Sequence, residues 1–167
     1  YVFSAIALKN ILKKHNLEIF DIENLVTHGG SIRYFIKKVT NKKIIISKNL
    51  KKQIKRELNF GLDKYITYKK FATKTVISKN KLLKIFNNIR NKKKIIIGYG
   101  ATAKAATVLN FCNIDNDIIS YFLDTTPDKQ NKFMPGRNIK ILKYKKDILK
   151  KYDYVFLGAW NFKDQIF

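Results

Sequence analysis

Apolar residues recur along this chain with two periods, and the switches between them divide it into elements. From Ser4 to His15 the residues Ile6, Leu8, Ile11 and Leu12 fall on one side of a helix, and Ser4 is placed to cap its first turn. Leu17 to Leu25 reads as a strand, Thr27-His28-Gly29-Gly30-Ser31 as a glycine turn, and Ile32 to Val39 as a second strand. In that second strand Ile32, Tyr34 and Ile36 share one face, and Arg33 and Phe35 the other. The two strands predict an antiparallel hairpin. A helix and a hairpin of this size cannot bury a core alone, so residues 1–40 are expected to complete a domain lying mostly before Tyr1.

From about Asn49 to Arg90 the period lengthens to that of helices, with Leu58, Leu62, Tyr65, Ile66 and Tyr68 in the middle and Leu82, Leu83, Ile85 and Phe86 near the end. The pattern predicts two or three helices, with Gly61 at a break and the β-branched Thr73 to Ile77 as an extended link. No Pro/Ser-rich linker interrupts the chain, so residues 41–90 read as a helical connector between two globular parts.

Lys94 to Asn110, KIIIGYGATAKAATVLN, runs three β-branched residues into a Gly-x-Gly turn and then a helix. This is the layout of a nucleotide-binding strand, turn and helix, with Ala103 at the third position of the G-x-G-x-x-G/A fingerprint. Gly98 and Gly100 lack a Cβ, which allows a tight turn and lets a phosphate approach N–H groups at the helix start. The same residues also suit a tight strand-to-helix connection that holds no ligand. A strand Ile118 to Leu123 follows and ends in Asp124, 24 residues beyond Gly100, where an acidic residue can take a ribose hydroxyl. Beyond a loop through Pro127 and Pro135-Gly136, the pattern predicts a short strand Ile139 to Leu142, a helix Lys145 to Lys151 and a strand Tyr154 to Gly158. Strands alternating with helices imply an α/β fold with a parallel sheet, a Rossmann-like domain over residues 91–167. Ligands of such sheets bind at the carboxyl ends of the strands, so Gly98 to Thr102, Asp124 to Gln130 and Ala159 to Asn161 are expected to meet.

Composition adds a puzzle. Thirty-five basic residues against 12 acidic ones give a net charge of +23, which ordinarily points to RNA, DNA or an anionic membrane. Only four of the basic residues are arginines, the residue that recognises phosphate and guanine through two parallel bonds, and lysines are scattered through nearly every segment. The charge therefore reads as compositional background more than as a nucleic-acid surface, although it would speed capture of an anionic substrate. Cys112 stands alone and His15 and His28 are the only histidines, so neither an internal disulfide nor a structural metal site is expected. No apolar run is long enough to span a bilayer, and a cytoplasmic protein is expected. The only methionine is Met134, so the sequence reads as a fragment.

Four motifs stand in order: Thr27-His28-Gly29-Gly30-Ser31-Ile32-Arg33, Gly98-Tyr99-Gly100-Ala101-Thr102-Ala103-Lys104, Leu123-Asp124-Thr125-Thr126-Pro127-Asp128-Lys129-Gln130 with Pro135-Gly136, and Ala159-Trp160-Asn161-Phe162. Together they resemble the sugar C-methyltransferases, from about Phe3 to Phe167. That resemblance implies an upstream S-adenosylmethionine-dependent domain, closed by the helix and hairpin of residues 1–40, and a C-terminal Rossmann-like domain. It implies methyl transfer to a carbon of a nucleotide-linked keto-deoxysugar, with the methyl-donor site and main catalytic cluster before Tyr1 and this portion binding substrate but inactive alone.

On this reading His28 serves as base or orients the sugar, and Ser31 and Arg33 contact substrate. The backbone of Gly98, Tyr99, Gly100 and Ala101, the Thr102 hydroxyl and Lys104 receive the diphosphate. Asp124 binds a hydroxyl, Lys129 a phosphate, and Asn161 makes a polar contact beside Trp160. Each residue also has a structural reading: a turn histidine, solvated strand residues, a helix lysine, a capped turn and a packed tryptophan. A bulky residue at 100 is expected to abolish nucleotide-sugar binding while leaving the fold. The sequence departs from the family pattern with Ala105 and Ala106 in place of Gly and Asn, and with Asn113 and Asn131 in place of Gly. Two other functions remain open: an NAD-dependent oxidoreductase domain, supported by the fingerprint and Asp124, and a basic RNA-binding module, supported by charge.

Overall fold

A computed structural model of the chain describes residues 3–27, 30–145 and 148–166. The chain divides into two compact units, Tyr1–Lys74 and Thr75–Phe167.

In the first unit, helix α1 (Ala5–Lys13) starts where expected, the Ser4 hydroxyl accepting from the Ala7 N–H. Strands β1 (Leu17–Leu25) and β2 (Ser31–Lys38) pair antiparallel, as their alternation predicts. A bulge between Ile19 and Asp21 alters the predicted faces: Ile32 and Tyr34 pack on the core, but Ile36 is exposed and Lys37 is buried instead. Lys37 is stabilised there by the Glu18 carboxylate at 3.0 Å and the Asn41 carbonyl at 2.8 Å. Helix α2 (Lys48–Phe60) is capped by Ser47 and ends at Gly61 in the left-handed conformation, the break read from the sequence. The core is small: Ala5, Leu12, Ile19, Ile22 and Leu50. Beside it sits a buried carboxylate, Glu57, which accepts from the Ala5 and Ile6 N–H groups at 2.9 Å each and from the Gln53 amide. These are orphan donors at the start of α1, so a residue on α2 caps another helix across the sequence.

Helix α3 (Tyr65–Asn91) corrects one expectation, because it runs unbroken through Thr73 to Ile77. β-Branched residues cost a helix only about half a kcal/mol each, and without Gly or Pro nothing interrupts the backbone ladder. The Thr73 hydroxyl donates to the Lys69 carbonyl within the helix.

In the second unit four strands form a wholly parallel sheet in the order β5-β4-β3-β6: β3 (Ile96–Tyr99), β4 (Phe122–Asp124), β5 (Ile141–Lys143) and β6 (Tyr154–Leu157). This is the α/β parallel sheet that the alternation of elements implied. Helix α4 (Ala103–Cys112) follows the glycine turn, and Ala105, Ala106, Leu109 and Cys112 pack with Phe86, Phe122, Met134 and Ile139 in the core. A short helix α5 (Lys163–Ile166) follows a 3-10 turn at Trp160–Phe162.

Two predicted elements shrink. Ile118 and Ile119 are drawn from the strand into a turn closed on the Asp115 carbonyl, where Ile119 is buried. In place of the helix at Lys145 to Lys151 the described residues show only a 3-10 turn, Ile148–Lys151. β5 and β6 lie at opposite edges, so the intervening chain must cross about three strand spacings of about 4.8 Å and return to the amino end. A helix advances only about 1.5 Å per residue and would consume that reach.

Replacing Glu57 by Ala removes the acceptor for two helix-start donors. We expect a loss of roughly 2–4 kcal/mol in the unfolding of the first unit, read from the urea midpoint of a circular-dichroism transition.

Candidate substrate-binding site

The loops that follow β3, β4 and β6 converge at the carboxyl edge of the parallel sheet. β3 ends in Gly98-Tyr99-Gly100, and the reasons its glycines are glycines are visible. A Cβ on Gly98 would lie 2.5 Å from the Phe122 ring of β4. Gly100 takes φ +82°, and a Cβ there would meet the Ala159 Cβ at 2.5 Å and the Ala159 nitrogen at 3.0 Å. The space left by the missing side chains is thus filled by the neighbouring strand and by the loop after β6. This corrects the expectation that a bulky residue at 100 would spare the fold, since Ala159 and the left-handed backbone both oppose it.

Asp124, at the end of β4, joins the loops. Its carboxylate is nearly buried, with 5% of the residue exposed. One oxygen accepts from the Ala101 N–H at 2.7 Å and the other from the Thr126 N–H at 2.8 Å, and Lys129 Nζ stands 3.3 Å away. Burial pushes this carboxyl up, but the Thr126 backbone and hydroxyl, the Ala101 N–H and the Lys129 charge together outweigh it and hold the pKa below the ordinary aspartate value. Thr102 caps α4: its hydroxyl accepts from the Ala105 N–H at 3.1 Å and donates to the Gly158 carbonyl at 2.8 Å. Both the Asp124 carboxylate and the Thr102 hydroxyl, read from the sequence as ligand contacts, therefore tie the loops together.

The groups that face outward are cationic and aromatic. Lys104 Nζ lies 6.0 Å from the centre of the Trp160 ring, and Trp160 is exposed. Asn161 is exposed in the same 3-10 turn. Tyr99 meets Tyr144 edge-to-face, with ring centres 5.4 Å apart. Burial raises the Tyr99 phenol, and Tyr144 and the Asp124 carboxylate reinforce the shift. Sequence reading missed Tyr144. The signal was available, since it stands one residue past β5 and so at a carboxyl strand end. Sequence reading named Gln130 and Gly158 without a role: the Gln130 amide donates to the Asp124 carbonyl, and a Cβ on Gly158 would run into the Gly100 carbonyl.

The structure thus brings together Gly98, Tyr99, Gly100, Ala101, Thr102, Lys104, Asp124 and Lys129 in the second unit. Ser31 and Arg33 belong to the first unit. There the Ser31 hydroxyl donates to the Thr27 carbonyl, and Arg33 donates to Glu23 at 2.7 Å across the hairpin, both side chains about half exposed. His28 lies outside the described residues. No group of three or more His, Cys, Asp or Glu that could hold a metal ion occurs among the described residues, and no helix among them is long and apolar enough to cross a membrane.

Two of the four departures from the family pattern have a backbone explanation. Asn113 has φ +57° and Asn131 φ +62°, the left-handed region in which Asn is the best substitute for Gly. Asn113 also accepts from Arg137, whose other nitrogen donates to the Asn110 carbonyl, and Asn110 in turn holds the Pro135 carbonyl. Ala105 is fully buried, against the position a Gly158 Cβ would take, and Ala106 is buried beside it.

A parallel sheet whose glycine turn is closed by neighbouring loops, with cations and aromatics along its carboxyl edge, defines an α/β domain with one candidate site. Residues 26–167 match the family described as C-methyltransferase C-terminal domain, and the chain belongs to that family. It is also 27% identical over 164 residues to the C-methyltransferase NovU of Streptomyces niveus, an alignment covering 98% of this chain and 39% of that protein. The chain thus spans about two fifths of the length of the curated relative it matches.

Two outcomes follow from this geometry. A carboxyl held below its ordinary pKa contributes its full stability above that value and loses it as pH falls through the folded-state pKa. Asp124→Asn should therefore lower the urea midpoint near neutral pH, and the gap from the parent chain should close as the pH is taken below about 4. At position 131, Gly should leave the midpoint nearly unchanged, whereas Val should cost about 1–2 kcal/mol because a β-branched side chain resists positive φ.

Proposed function

We propose that this chain is the substrate-binding portion of an S-adenosylmethionine-dependent C-methyltransferase that acts on a nucleotide-linked keto-deoxysugar. Four ordered motifs falling within the span of a C-methyltransferase family carry the reading, and three of them meet at the carboxyl edge of one sheet. The diphosphate lies along the outward side of the glycine turn near Lys104 and Lys129, and the aromatic rings of Tyr99, Tyr144 and Trp160 offer faces to a base or sugar.

S-Adenosylmethionine supplies an electrophilic methyl group. The glycine turn of the second unit offers it no pocket: Phe122 and Ala159 fill the space at Gly98 and Gly100, and the Asp124 carboxylate already holds Ala101 and Thr126. Its site is assigned to the part of the longer protein that precedes this chain, together with the main catalytic cluster. C-methylation beside a ketone needs a base for the α-proton and a group that stabilises the enolate. His28 would add a titratable group, while the residues of the second unit hold and orient the substrate.

Thermal unfolding of the chain with dTDP, dTDP-sugars, NAD and S-adenosylmethionine in parallel tests this assignment, because a ligand of the native state raises the midpoint by mass action. A rise with the dTDP compounds alone, reduced in Lys129→Gln, is expected. A rise with NAD alone would transfer the chain to the oxidoreductases.

A further inference from the structure

The first unit contains a cavity of about 400 Å³ between β1 and α2, remote in sequence from the glycine turn. One helix face builds most of it. Asn49, Lys52, Gln53 and Arg56 stand at the i, i+3, i+4, i+7 spacing that places side chains along one stripe of α2. A stripe with this spacing ordinarily carries apolar residues against a neighbour, and here Leu50 and Glu57 on an adjacent stripe perform that burial. The opposite wall comes from the end of β1, where Ile22 is buried and Glu23 and Asn24 are exposed.

The charges in the cavity are unbalanced. Glu23 is already held by Arg33 at 2.7 Å, so it leaves no free countercharge. The side chains of Lys52 and Arg56, both exposed at the mouth of the cavity, make no hydrogen bond or ion pair among the described residues. Being one helical turn apart, their Cβ atoms stand about 5–6 Å from each other, which suits two adjacent phosphoryl groups better than a single point charge. Arg supplies a planar fork of donors, Lys a mobile ammonium, and the amides of Asn24, Asn49 and Gln53 can pair with hydroxyls or bridging oxygens. At this volume the cavity admits a small molecule.

We propose that this cavity is an anion site for a diphosphate-bearing small molecule, with Lys52 and Arg56 as its charge-recognising residues. It is separate from the assignment of the glycine turn, and it stands whether or not that assignment does.

Isothermal titration of the chain with inorganic pyrophosphate at moderate salt tests the site. Because the net charge of +23 would attract any anion loosely, the comparison is between two double variants that each remove two positive charges from α2. Lys52→Gln/Arg56→Gln should weaken saturable pyrophosphate binding by at least about tenfold. Lys51→Gln/Lys55→Gln, as exposed as Lys52 and Arg56 but outside the cavity, should leave it within about twofold. Equal losses in the two variants, or no saturable binding by the parent chain, would overturn the proposal. So would a single-stranded RNA that binds more tightly than pyrophosphate and depends on all four residues alike, since that describes a diffuse basic surface. Pyrophosphate affinity retained in Lys129→Gln is expected and separates this site from the sheet edge. Its loss in that variant, with none in Lys52→Gln/Arg56→Gln, would move the anion to the sheet edge and overturn the cavity assignment.

Discussion

The carboxyl edge of the sheet depends on one carboxylate. Asp124 ends β4, one of the two inner strands, and its two oxygens reach in different directions, one to the Ala101 N–H beyond the glycine turn and one to the Thr126 N–H that opens the next loop. A neutral side chain could satisfy one donor but not both with equal strength, and an unsatisfied buried N–H costs more than a good hydrogen bond contributes. Around that anchor the other contacts fall into place. Gly100 turns with positive φ, Thr102 caps α4 and reaches the Gly158 carbonyl, and Lys129 lies over the carboxylate with part of its charge still exposed.

Glu57 plays the matching part in the first unit. Its carboxylate closes the start of α1 from α2, bringing together residues more than fifty positions apart where the apolar core is thin. Both units therefore rest on a buried acid that accepts from main-chain donors. In a chain so rich in lysine these two acids take part in few ion pairs: Asp124 has one lysine beside it, and Glu57 is met by backbone and amide donors. Backbone N–H groups are fixed in direction, and a fixed donor specifies a loop more sharply than a flexible ammonium can.

Much of this was legible in the sequence, for reasons particular residues make plain. The apolar run closed by the glycine turn placed β1 to the residue, Ser4 marked the start of α1, Gly61 the end of α2, and the β-branched run into Gly98-Tyr99-Gly100 the strand and turn. The family resemblance was carried by short ordered motifs, and the matched span bears it out. What periodicity could not show was competition. Ile118 and Ile119 are as fit for a strand as for a buried turn, and only the packing around Asp115 decides. Thr73 to Ile77 has strand-like residues whose small preference is overruled by the helix on either side. Of the residues read as a site, those of the second unit were legible as neighbours along one sheet edge, but their division of labour was not. Asp124 and Thr102 were read as facing a ligand, and which way a carboxylate turns is set by donors that the sequence does not place.

The hydrogen bond from Thr102 to the Gly158 carbonyl, and the packing of Ala159 on Gly100, join the loop after the first strand of the second unit to the loop after its last. As the chain leaves the ribosome, β3 and α4 emerge well before β6 does. The glycine turn must wait, with Gly100 unsupported and the Thr102 hydroxyl lacking its distant acceptor, until some fifty further residues have been made. Its final shape is a late event in synthesis, and a ribosome stalled ahead of Gly158 would leave the glycine turn still open.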